Sequence, residues 1–443
     1  MEPNALLGAL LTEAGMSRLG LATRVNGLSA ARGRQARYDH SSVIRWLGGQ
    51  RPRGGIPDLI CEVFSTRLGR PVSLEDIGMA TGPTNPVTPL DTFITRSTAL
   101  WHGDARQNAA PGAPRALTGL DAVGPVWEWE NPPDDADVSR NGTPRVGMAD
   151  IALLVTARTH YEQMYRKAGG IVTRGRVIEF LSSETAPLLR GAYSDRIGRE
   201  LHRAAGGLVA IAGIASYDSD AQGTAQRYFH QALRLAKASG DRAFGGYVLG
   251  LLVNQCLYLR EYRSAVAFAE AALRTAGHAI SPALACDLYA MQAKAFSRMG
   301  DHAAAHRVMS LAETAAGRVR REEEPAETGY VQPGLLEANL ADALMRLGDT
   351  GPARAYAAEA VATGAHARGR VHRLATLTDC HLRAGDADGA AATADAVLDT
   401  MSGMESRRLS GRLLTLRRGL AAMDSRTTAE AVKRIDDALR LPL

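Results

Sequence analysis

Apolar positions near the start of the chain recur three and four residues apart. Leu6, Leu7, Leu10 and Leu11 predict a first helix. Gly15 can end it, and Ser17 can cap a second helix over 17–26 that sets Leu19, Ala22 and Val25 along one face. The stretch Asn26 to Tyr38 has no clear period and reads as a loop. Asp39 is placed to cap a third helix with Val43, Trp46 and Leu47 inward, stopped by Gly48-Gly49. Pro57 suits the first turn of a fourth helix carrying Leu59, Ile60, Val63, Phe64 and Leu68, and a short fifth helix is expected after Ser73. The pattern predicts a small five-helix domain over residues 1–79.

From 80 to 146 the pattern breaks. Pro83, Pro86, Pro89, Pro111, Pro114, Pro125, Pro132 and Pro133 punctuate it, and PPDDAD is acidic. Residues 80–97 and about 130–146 read as flexible linker. Trp101, Trp127 and Trp129 between them suggest an element docked on the following domain, since large aromatics seek a core; a partner-binding peptide is the alternative.

From 147 to 443 one phrase returns: a helix end, a tight turn, then an Ala-rich helix. Copies lie at 258–273, 296–313, 344–361 and 382–398, with a weaker one at 217–236. Their turn acids, Asp220, Glu261, Asp301, Asp349 and Asp386, are separated by 41, 40, 48 and 37 residues. The spacing exceeds the roughly 34 residues of a tetratricopeptide repeat, which predicts helix pairs with longer loops. Ala265, Ala269 and Ala272 permit close packing, and such pairs stack into a solenoid with a concave face. The fold class is therefore all-α, a small helical domain followed by an α-solenoid. The run Glu322–Glu324 falls in the longest loop and reads as solvated surface.

Composition changes this picture little. The chain has 443 residues, a formal charge of +5 and 45% hydrophobic residues. The four cysteines, Cys61, Cys256, Cys286 and Cys380, are too scattered for a zinc or disulfide pattern and read as buried free thiols. No apolar run reaches the roughly 18 residues of a membrane span, and the N-terminus lacks the basic region of a signal peptide. A cytoplasmic, nucleoid-associated protein is expected, with no membrane association. Phosphate-loop, HExxH and clustered-histidine motifs are lacking, so no catalytic residue, metal or cofactor is assigned and no enzyme is expected.

Local charge matters more. Residues 17–53 hold Arg18, Arg24, Arg32, Arg34, Arg37, Arg45, Arg51 and Arg53 against Asp39 alone, a net +7. The arginine fork suits phosphate oxygens and guanine edges. The third helix would anchor by Val43, Trp46 and Leu47, with Ala22 packed behind, and present His40, Ser41, Ile44 and Arg45 to base edges. Arg32, Arg34, Arg37, Gln50, Arg51 and Arg53 would contact phosphates. A solvated basic face is the bland alternative.

The motifs LGLATRVNG (19–27), SSVIRWLGGQRPR (41–53) and PVSLEDIG (71–78) resemble the phage-repressor-like (Xre-type) helix-turn-helix family. The family's short join between its second and third helices is here about a dozen residues, which could act as a basic arm. Together with LLRGAYSDRIGREL (188–201) and AQRYFHQALRLAKASGDRA (225–243), the chain resembles a group of actinobacterial regulators that fuse such a domain to a tetratricopeptide-like domain. The resemblance implies a sequence-specific transcriptional regulator that binds double-stranded DNA as a homodimer. The repeats would receive a peptide, small-molecule or protein effector. Tyr161, Tyr165, Arg166, Arg174 and Arg176, near Gly169-Gly170, could line an effector pocket or form ordinary helix contacts. The second function class is an interaction scaffold whose N-terminal module does not read DNA.

Overall fold

A computed structural model of the chain describes residues 4–32, 37–52, 55–69, 72–74, 76–79, 89–106 and 114–440. The regular elements among them are all helices, without strands, and the chain divides into two compact units, 1–86 and 87–443.

The first unit holds α1 (Ala5–Glu13), α2 (Arg18–Ala31), α3 (His40–Leu47) and α4 (Ile56–Leu68). Leu7, Leu10, Leu21, Ala22, Val25, Val43, Trp46, Ile60 and Phe64 share one core. Leu6 and Leu19, grouped by spacing with the inward positions, are exposed; Leu21 takes the place expected of Leu19. Asn4 ties the unit together. Its side chain caps α1 through the Leu7 amide at 3.0 Å and donates to the Ile77 carbonyl at 2.8 Å, while its own amide donates to the Leu47 carbonyl.

Two sequence expectations change here. The second helix does not stop at residue 26 but runs to Ala31, with Ser29 buried and Leu28 packed on the core. Asn26 lies inside that helix and clamps the returning chain, its amide donating to the Tyr38 carbonyl and its oxygen accepting from the Tyr38 amide. A polar residue that signals a turn locally thus serves as a tertiary tie. The expected fifth helix is a turn instead. Ser73 and Asp76 bond reciprocally, side chain to backbone, and Ile77 and Met79 are buried beneath them.

The second unit begins with α5 (Leu90–Arg106) and α6 (Gly124–Glu130). There follow α7 (Met148–Ala168), α8 (Gly170–Phe180), a π-helical turn at Leu181–Thr185, and α9 (Ala186–Leu189). The solenoid proper is made of α10 (Asp195–Asp218) with α11 (Gln222–Ser239), α12 (Arg242–Leu259) with α13 (Tyr262–Ala276), and α14 (Pro282–Met299) with α15 (His302–Ala316). It continues with α16 (Leu335–Leu347) and α17 (Thr350–Ala362), α18 (Ala367–Ala384) and α19 (Ala387–Met401), and α20 (Arg407–Ala421) and α21 (Arg426–Arg440). Within each pair the helices pack on one another, and the first helix of each pair packs on the first of the next.

The recurring turn has a simple construction. Gly240, Gly300, Gly348 and Gly385 each end a helix in the left-handed conformation, open to glycine at little cost. The acid that follows is the N-cap of the next helix: Asp241, Asp301 and Asp386 accept backbone amides of its first turn. Glu261 and Asp349 hold the same position. Ala265, Ala269 and Ala272 are fully buried, as are Ala353, Ala357, Ala390 and Ala394, so small side chains set the close approach of paired helices. Glu324, expected to be solvated, instead accepts from the Ala283 amide at the start of α14 and from Thr328.

The Pro-rich stretch is far from uniformly flexible. Trp101 of α5 is fully buried, with its indole N–H donating to Gln231 of α11 at 2.8 Å. Trp129 of α6 is buried as well, while Trp127 remains exposed. The acidic run has cations waiting for it across the sequence: Asp135 takes both η nitrogens of Arg234, and Asp134 pairs with Arg242. Val138 and Val146 are buried, and Arg140 and Tyr193 exchange backbone hydrogen bonds.

The ends of this unit meet. Asp218, wholly buried at the close of α10, accepts from the Gly170 amide, the Ser406 hydroxyl and the Arg368 guanidinium. The Glu405 amide donates to the Ala168 carbonyl at 2.8 Å, and the Ile171 amide to the Glu405 carbonyl. The α7–α8 junction, the foot of α10 and the starts of α18 and α20 thus form one clasp.

Candidate nucleic-acid interface

The residues singled out by sequence lie on α3 and its flanks. Asp39 opens the helix. One of its carboxylate oxygens accepts from the Ser42 amide at 2.9 Å and from the Ser41 and Ser42 hydroxyls, and Ser42 reaches back toward the Asp39 amide. The Ser41 and Ser42 bonds, with the Arg45 charge adding to them, lower its pKa to about 2. This reciprocal cap lets an eight-residue helix start sharply after an extended approach.

The inner face of α3 holds Ser42, Val43 and Trp46, all buried, with Leu47 half-buried beside them. Tyr38 meets the Trp46 indole edge to face, the ring centroids 5.1 Å apart. Ala22 is fully buried within the same core. The outer face holds His40, Ser41, Ile44 and Arg45, all exposed. Arg45 lies back on the helix, donating to the Ser42 hydroxyl at 3.2 Å, a tether that a stronger acceptor would displace. Gly48 and Gly49 end the helix, with Gly49 at φ +94° and the Gln50 amide returning to the Arg45 carbonyl.

The six expected phosphate contacts divide. Arg37 and Gln50 are exposed. Arg51 is half-buried, with one η nitrogen enclosed and unbonded among the described residues. Arg32 ends α2 and is engaged within the protein, 2.5 Å from the Glu62 carboxylate of α4. Arg34 and Arg53 lie outside the described residues. Arg18 and Arg24 are exposed on α2. Among the described arginines of 17–53 only Arg32 meets a carboxylate at ion-pair distance, so most of the positive charge remains available to solvent or a partner.

The five residues considered for an effector pocket are not gathered together. Tyr161 and Arg176 share a cavity of about 540 Å³ with His160, Asp104 and Glu179. Burial raises the Tyr161 pKa. Tyr165 lies instead under the Arg368 guanidinium, 4.6 Å from its ring centre, at the clasp. Arg166 pairs with Glu162 at 2.5 Å, and Arg174 has its ε nitrogen enclosed without a hydrogen-bond partner among the described residues.

Sequence reasoning missed two polar assemblies. The clasp joins residues 150 and 188 positions apart, for which no local pattern exists. The other is a cluster of cations on α11 facing the Trp-bearing segment; the tryptophans were its one visible sign. All four cysteines are buried. No described helix is long and apolar enough to cross a membrane, and the described residues contain no group of three or more His, Cys, Asp or Glu side chains able to hold a metal ion.

No curated protein is matched by the chain. Residues 7–80, which contain α3 and its arginines, match the family model described as the SP15 N-terminal domain.

Proposed function

We propose that the protein is a sequence-specific DNA-binding transcriptional regulator whose solenoid, tetratricopeptide-like in its helix pairs, mediates homodimerisation and receives an effector. The observation that carries this reading is α3. It is a short, sharply capped helix anchored by Val43 and Trp46. It offers His40, Ser41, Ile44 and Arg45 outward, within a surround of arginines with few acidic neighbours. A recognition helix needs that division, one face in a small core and the other in the major groove. The resemblance of 19–27 and 41–53 to the phage-repressor-like helix-turn-helix family supports the same reading. Two-fold association suits a module this small, because paired half-sites supply the interface that one lacks. Such a regulator acts in the cytoplasm, on the nucleoid.

Genome-wide mapping of bound DNA would supply an operator, and fluorescence anisotropy would then compare operator with random DNA across salt concentrations. Affinity is expected to fall linearly in log–log form as salt rises, because arginines displace condensed counterions. Arg45→Ala is expected to remove about 1–3 kcal/mol of preference for operator. An unchanged preference would reject Arg45 as a base reader, and salt-independent or absent binding would reject the function.

A second reading, an interaction scaffold, draws on Leu6 and Leu19, large apolar side chains exposed on the N-terminal unit. It predicts that Leu19→Glu abolishes capture of a protein partner while Arg45→Ala does not.

A further inference from the structure

Between the segment that precedes the solenoid and α11 lies a cavity of about 420 Å³, within the size range of small-molecule sites. One wall is α11, with Arg227, His230, Arg234 and Lys237 along it. Opposite stand Phe93 and Arg96 of α5, Arg115 and Leu117 of the following stretch, and Glu128 and Trp129 of α6.

The walls are held by bonds of their own. Gln226 grips the Leu117 backbone twice, accepting from its amide at 2.7 Å and donating to its carbonyl at 2.8 Å. Arg227 pairs with Asp104, and Arg234 with Asp135. At Gly223 a Cβ would stand 1.8 Å from the Pro114 carbonyl oxygen, so the segment rests directly on the α11 backbone. A cavity fixed in this way does not depend on an occupant for its shape.

Its charge is unbalanced. The lining carries five cations and Glu128, and only Asp104 and Asp135 add negative charge through the pairs just named, an excess of two positive charges. Lys237 spends its ammonium on backbone carbonyls, including that of Asn131 at 2.6 Å. Arg96 and Arg115 are exposed and have no ion pair among the described residues. Five polar atoms of the lining residues are enclosed with no hydrogen-bond partner among the described residues: His230 Nε2, Arg227 Nε, Trp129 Nε1, and Glu128 Oε1 with Arg234 Nε, the last two 3.5 Å apart. Burial lowers the His230 pKa to about 4, so at neutral pH the ring is uncharged and Nε2 can donate or accept according to tautomer. Buried polar atoms without partners are uncommon in folded proteins and call for an explanation.

We propose that this cavity binds a small anionic ligand with a flat apolar body. Arg96, Arg115 and the Arg227 Nε meet its acidic group, Phe93 and Trp129 its apolar face, and His230 Nε2 one further polar atom. The site is distinct from the Tyr161–Arg176 cavity, and its ligand would bridge the pre-solenoid segment to α11. The proposal stands apart from DNA binding, and its test involves no DNA.

The test uses the full-length protein with 8-anilinonaphthalene-1-sulfonate, an aromatic sulfonate whose fluorescence rises on binding, and the uncharged 1-anilinonaphthalene as its control. One saturable site per chain is expected for the sulfonate, with the uncharged compound bound at least tenfold more weakly. Arg96→Glu with Arg115→Glu, both at exposed positions, should weaken the sulfonate at least tenfold and leave the uncharged compound unaffected. His230→Leu should weaken the sulfonate without lowering the melting temperature; if it unfolds the chain, the double arginine variant decides. Absence of saturable binding, equal affinity for the two compounds, or undiminished sulfonate binding by the double variant would each overturn the proposal.

Discussion

At the scale of single residues, Asp39 and Trp46 do different work for the same helix. The Asp39 carboxylate is held ionised by three hydrogen bonds, and its pKa lies near 2 rather than at the usual 3.8. A carboxyl whose pKa is lower in the folded state stabilises it fully above the unfolded value and loses that contribution as pH falls through the folded one. The start of α3 is therefore expected to loosen between pH 4 and pH 2. Asp39→Asn should remove that part of the acid titration, as read from the Ser42 amide chemical shift. Trp46 acts by volume. Trp46→Ala leaves a hole between α3 and Tyr38, and a buried tryptophan truncated to alanine costs about 3–5 kcal/mol. In calorimetry the transition of the first unit should weaken or vanish while that of the solenoid persists. A first-unit transition at its original temperature would show that Trp46 is not needed for its core.

At the scale of elements, three turns within helix pairs, at Gly300, Gly348 and Gly385, follow one rule, and the others depart from it. Where these turns place glycine in the left-handed region, the α10–α11 turn has Asp220 at φ +60° and the α12–α13 turn has Arg260 at φ +65°. The Arg260 side chain is exposed. A Cβ in that conformation costs roughly 1–2 kcal/mol, part of which glycine returns as entropy in the unfolded chain. Arg260→Gly is expected to stabilise the solenoid by about 1 kcal/mol, seen as a higher urea midpoint with an unchanged slope. A lower midpoint would mean that the arginine side chain contributes more than its backbone costs. The helix pairs themselves were readable, because an apolar period, a turn glycine and a capping acid are local properties. The extent of α2 was not, because Asn26 and Gly27 weaken a helix locally while the Asn26–Tyr38 clamp that sustains it is a tertiary contact.

At the scale of the second unit, the clasp at Asp218 joins the first helices to the last pairs. Asp218 and Arg368 are both buried, so deleting one leaves the other charged and unpaired away from water. Such removals cost about 3–5 kcal/mol. Asp218→Ala should lower the melting temperature of the unit and speed hydrogen exchange at the Ile171 and Glu405 amides, which lie at the junction. If those amides exchange at the original rate, the clasp holds without its central carboxylate.

What the sequence determined by itself was whatever depends on near neighbours. The helical class follows from period, the solenoid from a repeated phrase, and the two faces of α3 from the spacing of Val43 and Trp46 against Ile44 and Arg45. Charge pairing over distance was beyond its reach. By sequence Arg32 is free for phosphate; in the fold Glu62 holds it. By sequence the acidic run at 130–137 is linker; in the fold it is tied to Arg234 and Arg242. The α11 cations, scattered along one helix, become a cavity wall only when the Trp-bearing segment docks across them. An isolated charge looks solvated in sequence because solvation is its default state. Only the fold decides which charges are drawn out of water, since that requires a partner brought close from far along the chain.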